Sequence, residues 1–512
     1  MPSESAAATA EDFRPERRLH ASSWLFGTAS YLKSFLVPLI AAAVIGSSRE
    51  FALWAPVTVI VPLIAAALWR QWVYRYGFSQ HGLVIHEGLF FRNVRTIDYG
   101  RIENVDTERG LLHRALGVAE VRVETSTGGS AEARIRVLDL AAVEDMRARI
   151  FERDRPAASA HDAAPSADAA EREETLLELP PAELVRFGLI DNRGMLVVAA
   201  IMGVLAQSGV FENANEWAAP LLARLPLDAV AAFGVAAQIL LALTLAAALI
   251  VSTRVLSILL AFAMLFDFRL TRANGDLRTR YGLLTRISMT LRRRRIQAVH
   301  QTATLLHRLF RRVSLKVDLA GGLTAENEAR QRGAQQHFRD LWLAPLVRPE
   351  NAEALIRVAL PQARVAGLDW QKLAPRARWR IFRVLSLSWL IAASVPAVWW
   401  TGWWAAALLP AALPLFWLHA SLYVRYTGWA LHEGFFALRR GWLTRRLSVT
   451  PRNRIQSVHI GSSPFDRRYR MARLDVDIAG VSAVTHRFCV PYLDRRDAER
   501  LAAELVASRQ TQ

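Results

Sequence analysis

Apolar residues in this chain gather into long runs instead of the short amphipathic stripes of soluble proteins. Crossing about 30 Å of hydrocarbon takes roughly 20 predominantly apolar residues, each adding about 1.5 Å of helix. Six runs approach that length: 31–48, 51–73, 193–210, 229–252, 383–400 and 402–424. They fall into three pairs, and each pair reads as a transmembrane helical hairpin. Buried core helices are the competing reading, which runs this long and this poor in charge argue against. Trp399, Trp400, Trp403 and Trp404 bracket the turn of the third hairpin, where an interfacial aromatic belt would place them. After Ser252, Arg254 leads into a further apolar stretch at 255–266, read here as a continuation of the fourth span.

Charge sets the orientation. Arg269 to Lys316 holds 13 Lys plus Arg against one acid, Asp276, and Arg439 to Arg473 holds ten Arg against one acid, Asp466. Inside the second hairpin, residues 208–228 carry only Arg224 against Glu212, Glu216 and Asp228. Basic segments stay on the cytoplasmic side, so both termini and the basic sectors are expected in the cytoplasm. Residues 1–20 show no cleavable signal-peptide pattern. The single cysteine, Cys489, excludes an intramolecular disulfide framework and any multi-cysteine metal site.

The sequence between the hairpins repeats three times. The anchor is Arg-Ile-x-x-Val, present as Arg101-Ile102-Glu103-Asn104-Val105, Arg295-Ile296-Gln297-Ala298-Val299 and Arg454-Ile455-Gln456-Ser457-Val458. A glycine stands 14 positions before each isoleucine, at Gly88, Gly282 and Gly441, followed by Leu89, Leu283 and Trp442. A second basic match follows at Arg114, Arg308 and Arg467, and alternating strand-like sequence begins at Val121, Leu315 and Leu474. Each copy closes with a helical pattern, at 139–152, 350–359 and 493–507. The glycines suit turns that a β-carbon would oppose, and the isoleucine and valine read as core anchors flanking a bend. Each copy is therefore two spans, several strands and a capping helix.

This pattern resembles the bacterial membrane proteins of the YdbS/YdbT type, in which pleckstrin-homology-like domains follow paired transmembrane helices. The turn glycine with Leu or Trp, the basic run into Arg-Ile-Gln-x-Val and the strands beyond it carry the resemblance over nearly the entire chain. The first copy departs from it, with Glu103-Asn104 where the others have Gln297-Ala298 and Gln456-Ser457. The fold it implies is membrane α-helical hairpins plus β-rich cytoplasmic domains, each a pleckstrin-homology-like β-barrel or sandwich with a C-terminal helix. The layout is a cytoplasmic N-terminus at 1–30, hairpins at 31–73, 193–266 and 383–424, and pleckstrin-like domains at 74–153, 267–360 and 425–508. A disordered linker is expected at 154–180, and 323–337 reads as a polar insertion in the second domain. The implied location is the bacterial cytoplasmic membrane.

The most suggestive chemical feature is the arginine cluster Arg292, Arg293, Arg294 and Arg295, with Arg101, Arg452 and Arg454 as counterparts. Guanidiniums beside an anionic leaflet gain about 1 kcal/mol each, so lipid headgroups are one expected partner. A protein partner, such as another membrane protein of the same family, is the other. The positive-inside bias alone would also produce such a cluster, and charge does not separate the readings. His113, His300, His307 and His459 lack the companions of a metal or catalytic site, and are expected to be structural. No nucleophile elbow, phosphate loop or dinucleotide fingerprint is present, so neither catalysis nor a cofactor is expected. Nucleic acid is not an expected partner, because the basic residues lie near the membrane without interleaved aromatics. A non-enzymatic membrane scaffold or accessory protein is the leading reading, and a six-span transporter the alternative.

Overall fold

A computed structural model describes residues 17–29, 49–79, 82–87, 93–125, 133–151, 174–207, 234–273, 275–320, 341–400, 408–432, 434–478 and 488–510. The run at 31–48, Gly88, the hairpin turn at 208–228, Trp403 and Trp404, and the 323–337 insertion lie outside them. Each repeat supplies seven strands in the same order. The first has β1 (Arg17–Arg18), β2 (Arg75–Phe78), β3 (Gly82–Glu87), β4 (Asn93–Asp98), β5 (Ile102–Gly110), β6 (Val118–Thr125) and β7 (Ala133–Asp139). The second has β8 (Glu174–Glu178), β9 (Arg269–Ala273), β10 (Asp276–Tyr281), β11 (Thr285–Leu291), β12 (Ile296–Ala303), β13 (Val313–Leu319) and β14 (Trp342–Val347). The third has β15 (Gln371–Lys372), β16 (Gly428–Leu431), β17 (Phe435–Arg440), β18 (Arg445–Pro451), β19 (Ile455–Gly461), β20 (Met471–Ile478) and β21 (Phe488–Asp494).

The helices follow the same plan. In chain order they are α1 (Arg49–Val73), α2 (Leu111–Ala115), α3 (Leu140–Phe151), α4 (Pro181–Ile190), α5 (Arg193–Gln207), α6 (Val235–Leu265) and α7 (Leu305–Leu309). Then come α8 (Pro349–Ala359), α9 (Ala377–Trp400), α10 (Leu408–Ala411), α11 (Leu413–Tyr426), α12 (Pro464–Arg468) and α13 (Arg495–Gln510). The closing helices α3, α8 and α13 stand where the sequence placed them. The expected 154–180 linker is shortened by the structure, because Glu174–Glu178 forms β8, whose backbone pairs with β9 and sets Leu177 opposite Leu270.

The chain divides into two compact units, Met1–Glu173 with Leu284–Leu291 and Ala320–Ala334, and Glu174–Leu283 with Arg292–Leu319 and Gln335–Gln512. In the first unit β1 to β4 form one antiparallel sheet and β5 to β7 another. Leu83, Ile85 and Ile97 from the first sheet share a core with Val105, Val121 and Ile135 from the second and Met146 from α3. The motif isoleucine and valine, three positions apart, would point to opposite faces of a regular strand. A register shift between Ile102 and Asn104 inserts one extra residue, and Ile102 and Val105 both enter the core. The same shift follows Ile296 and Ile455, so the bend sensed in the motif is a β-bulge in all three copies.

In the second unit a seven-stranded sheet runs in the order β14-β13-β12-β18-β17-β16-β15. This sheet crosses the boundary between repeats. Strand β18 of the third repeat pairs antiparallel with β12 of the second, from Val299↔Val449 to Ala303↔Arg445. In the first unit β11 of the second repeat likewise pairs with β5 of the first, from Thr285↔Gly110 to Ser288↔Thr107. In the first and third repeats two sheets share one core, and a strand of the following repeat extends its predecessor's edge, β11 on β5 and β18 on β12. Phe436 of β17 and Phe488 and Val490 of β21 fill the third repeat's core with Leu501 and Leu505 of α13, and Ala298 of β12 joins them. Burying a phenylalanine of this kind contributes about 2–3 kcal/mol.

Helix α6 is the one helix that by itself is long and apolar enough to cross a membrane, among the described residues. It is unbroken through Arg254, whose guanidinium caps the end of α4 by donating to the carbonyls of Leu189 (3.1 Å) and Asp191 (3.3 Å) and to Asn192 Oδ1 (2.8 Å). Helices α4 and α5 meet at 51° and pass the same test only as one broken span. They lie close against α6: a β-carbon on Gly188 would fall 2.5 Å from Ile258 Cα, and one on Gly194 2.3 Å from the Thr253 carbonyl. The Gly194 amide donates to Ser257 Oγ at 3.0 Å. Gly194→Val should therefore force the helices apart and destabilise the protein by about 1–3 kcal/mol, read as a lowered melting temperature in detergent. An unchanged melt would contradict this packing.

Candidate functional site

A concavity of about 1010 Å³ in the second unit lies where repeats two and three share their sheet. The second repeat contributes Arg308 from α7, Arg311 and Arg312 just after it, and Arg348 before α8. The third contributes Arg439 and Arg440 from the end of β17 and Arg445 and Arg446 from the start of β18. Glu350 is the one acid among the lining residues, and Trp370 and Tyr426 supply aromatic walls. Tyr426 is the last residue of α11, so the groove opens at the end of an apolar helix.

The groove is short of negative charge. Among the described residues, Arg312 alone of the eight arginines has an ion-pair partner: Glu183 receives its Nε (3.0 Å) and Nη2 (2.8 Å) side by side. Burial would raise the Glu183 carboxyl, but the Arg312 and Arg186 guanidiniums outweigh it and hold the pKa below the usual carboxylate value. Four of the others rest on neutral groups. Arg439 lies 4.6 Å from the Trp370 ring centroid and Arg445 4.3 Å from that of Tyr426. Arg440 Nε donates to Tyr423 Oη at 2.8 Å, and Arg308 Nη2 to the Leu443 carbonyl at 3.3 Å. The Nε atoms of Arg308 and Arg439 are buried without a hydrogen-bond acceptor among the described residues. Burial also pulls the Arg439 pKa down, as expected for a cation held out of water with no counter-charge. Planar guanidiniums in this number match phosphate oxygens in paired hydrogen bonds.

The repeat explains why this wall is arginine. Position 311 has φ 51°, and its counterparts are Gly117 in the first repeat (φ 69°) and Arg470 in the third (φ 54°). All three end the short helix after the motif strand, where a left-handed residue closes the turn. Glycine does so freely, whereas a β-carbon costs about 1–2 kcal/mol. Arg311 carries that strain on the groove wall, which points to a use for its charge. Arg311→Gly should stabilise the fold by about 1 kcal/mol while weakening anion binding, checked by melting with and without an anionic ligand. Loss of stability would contradict the assignment.

The sequence had directed attention elsewhere. Arg293–Arg295 form a 3₁₀ turn leading into β12; Arg295 is buried, and the Arg293 amide donates to Asp276 Oδ1 at 3.1 Å. Arg292 is half-buried beside the turn, and Arg294 is exposed. Arg452–Arg454 form the matching turn in the third repeat, with Arg452 donating to the Glu504 carbonyl and Arg454 Nη2 to the Arg294 carbonyl at 2.6 Å. The structure thus brings Arg294 and Arg454 together across the junction, while Arg101 ends the equivalent turn of the first unit. The groove arginines lay within the two basic sectors, but their convergence had no sequence signature. His307 has its rings' nitrogens 2.8 Å from Thr304 Oγ1 and 2.7 Å from Ser314 Oγ, and burial pushes its pKa down to about 4, so it adds no charge beside Arg308 at neutral pH. His300 bridges the junction, 2.8 Å from Ser448 Oγ and 2.8 Å from Asp318 Oδ2.

The glycine turn serves as a fastener between helix and sheet. In the second repeat the amides of Gly282 and Leu283 donate to the carbonyls of Phe266 (2.8 Å) and Ala263 (3.1 Å) at the end of α6. In the third, Gly441 (φ 82°) donates to Thr427 Oγ1 and Trp442 Nε1 to His419 Nδ1 of α11. Three successive repeats of seven strands with a closing helix match the comparison with known families. Residues 29–154, 224–359 and 381–509 match the model of the bacterial PH domain. The chain belongs to the bacterial PH domain family. The UPF0699 transmembrane protein YdbT of Bacillus subtilis (strain 168) is 22% identical over 471 residues, covering 88% of this chain and 89% of that protein. No solved structure matches the chain. The arginine groove lies between the second and third PH domains, built by both.

Proposed function

We propose that this chain is a non-enzymatic membrane protein that holds three PH domains at the cytoplasmic face of a bacterial membrane and uses the arginine groove to bind an anionic lipid headgroup. The observation that carries the reading is the groove itself: eight arginines against one lining acid, opening at the end of α11. Such a site is electrostatically incomplete without an anion, and a phosphate-bearing headgroup reaches it from the bilayer. Membrane anchoring is supported by α6, whose most apolar stretch has no buried residue and exposes Leu240, Leu243 and Leu249. A side chain set of this kind finds its solvent in lipid. The relative's name as a transmembrane protein agrees with this, and the positive-inside bias of the basic sectors supports a cytoplasmic side for the PH domains.

The six-span transporter reading gains no support from the ionisable residues at the helix ends. Arg193 pairs with Asp191 at 2.8 Å, Arg383 donates to Tyr469 Oη, and His419 accepts from Trp442. Each fixes a helix to its surroundings.

The full-length protein, reconstituted in bilayers of mixed phosphatidylglycerol and phosphatidylcholine and released into native mass spectrometry, should retain phosphatidylglycerol preferentially. The exposed pair Arg445→Gln with Arg446→Gln removes two charges worth about 1 kcal/mol each, so retention should fall more than tenfold. Equal retention of the two lipids by the unaltered protein would remove the proposal.

A further inference from the structure

The junction between repeats is made twice, in the same register. Eight positions before the motif isoleucine, Ser288 and Leu447 lie in β11 and β18; five positions after it, Thr107 and Gln301 lie in β5 and β12. The observed partners are Ser288↔Thr107 and Leu447↔Gln301. Two strands of this set are left over. Among the described residues, β4 is paired only with β3 and β19 only with β20, so each ends its sheet. They are the first repeat's counterpart of β11 and β18 and the third repeat's counterpart of β5 and β12.

The two edges offer one apolar pair at the matching positions. Transferring the register sets Val94 of β4 opposite Ile460 of β19, then Arg95 opposite His459 and Thr96 opposite Val458. Val94 is 52% exposed and Ile460 39% exposed, and Val458 is half-buried where its equivalents in the closed junctions, Val105 and Val299, are fully buried. A sheet edge with unblocked backbone groups templates another strand, and natural edges are commonly guarded by proline or lysine. Neither β4 nor β19 contains either residue.

We propose that β19 of one molecule pairs antiparallel with β4 of a second copy of this chain, repeating between molecules the junction already made twice within each. The partner that completes both edges must offer a β18-like strand and a β12-like strand, and a second copy offers both. The contact is head-to-tail, so successive copies extend into a ring or a row at the membrane surface.

The test uses two differently tagged full-length chains, both Cys489→Ser, one with Val94→Cys and the other with Ile460→Cys. They are co-expressed and oxidised in isolated membranes. Directly opposite residues on antiparallel strands lie within disulfide reach, so a covalent mixed dimer is expected. It should exceed at least tenfold that from the control Val94→Cys with His459→Cys, whose side chain faces the other way. Both positions are exposed, which leaves the cores intact. Val94→Lys added to the Ile460→Cys partner's counterpart chain, in place of the cysteine, should also lower the oligomeric mass in detergent. A mixed dimer no more abundant than the control would overturn the proposal. So would a chain carrying both cysteines that closes only on itself.

Discussion

Backbone pairing between β12 and β18 is the constraint on which the second unit depends. It joins the trailing sheet of one PH domain to the leading sheet of the next, and it brings the arginines at α7 and just before α8 against those of β17 and β18. The joint is reinforced from both ends. Thr450 Oγ1 donates to the Gln297 carbonyl at 2.8 Å, His300 bridges Ser448 and Asp318, and Arg454 reaches the Arg294 carbonyl. Thr450, Gln297 and His300 are buried, where an unsatisfied polar atom costs more than a satisfied one returns, so they favour one register over its neighbours.

The groove follows from that joint. Its positive charge would repel itself into solvent if the arginines stood on flexible loops, but sheet pairing and aromatic stacking hold them in place. Arg439 against Trp370 and Arg445 against Tyr426 show the compromise: a guanidinium without an anion rests on the electron-rich face of a ring. The left-handed backbone at Arg311 adds a second cost accepted at the same wall. Strain and unneutralised charge converge on one concavity, and an arriving headgroup phosphate would relieve the charge.

Much of the single-domain design was legible in the sequence because it is written in side chains. The isoleucine and valine of the motif had to share a core, and the bulge at Glu103, Gln297 and Gln456 is how they do so. Gly282 and Gly441 had to adopt turns, and both have positive φ. The closing helices carried their own apolar spacing. What stayed hidden was written in the backbone. Alternation marks β18 as a strand but does not say whose edge it joins, since amides and carbonyls look alike in every strand. The groove arginines are scattered from Arg308 to Arg446, and no spacing rule links them. The run at Arg292–Arg295 was conspicuous, yet Arg295 is buried and the turn serves the entry into β12.

The account rests on repeats that exchange strands, and the most direct measurement is a disulfide scan across β12 and β18 in the full-length Cys489→Ser protein. Gln301→Cys with Leu447→Cys places thiols at partnered positions, whereas Gln301→Cys with Ser448→Cys places them on opposite faces. The account requires the first pair to close within one chain under mild oxidation and the second to stay reduced. Equal closure of both pairs, or of neither, would contradict the exchange of strands between the second and third PH domains.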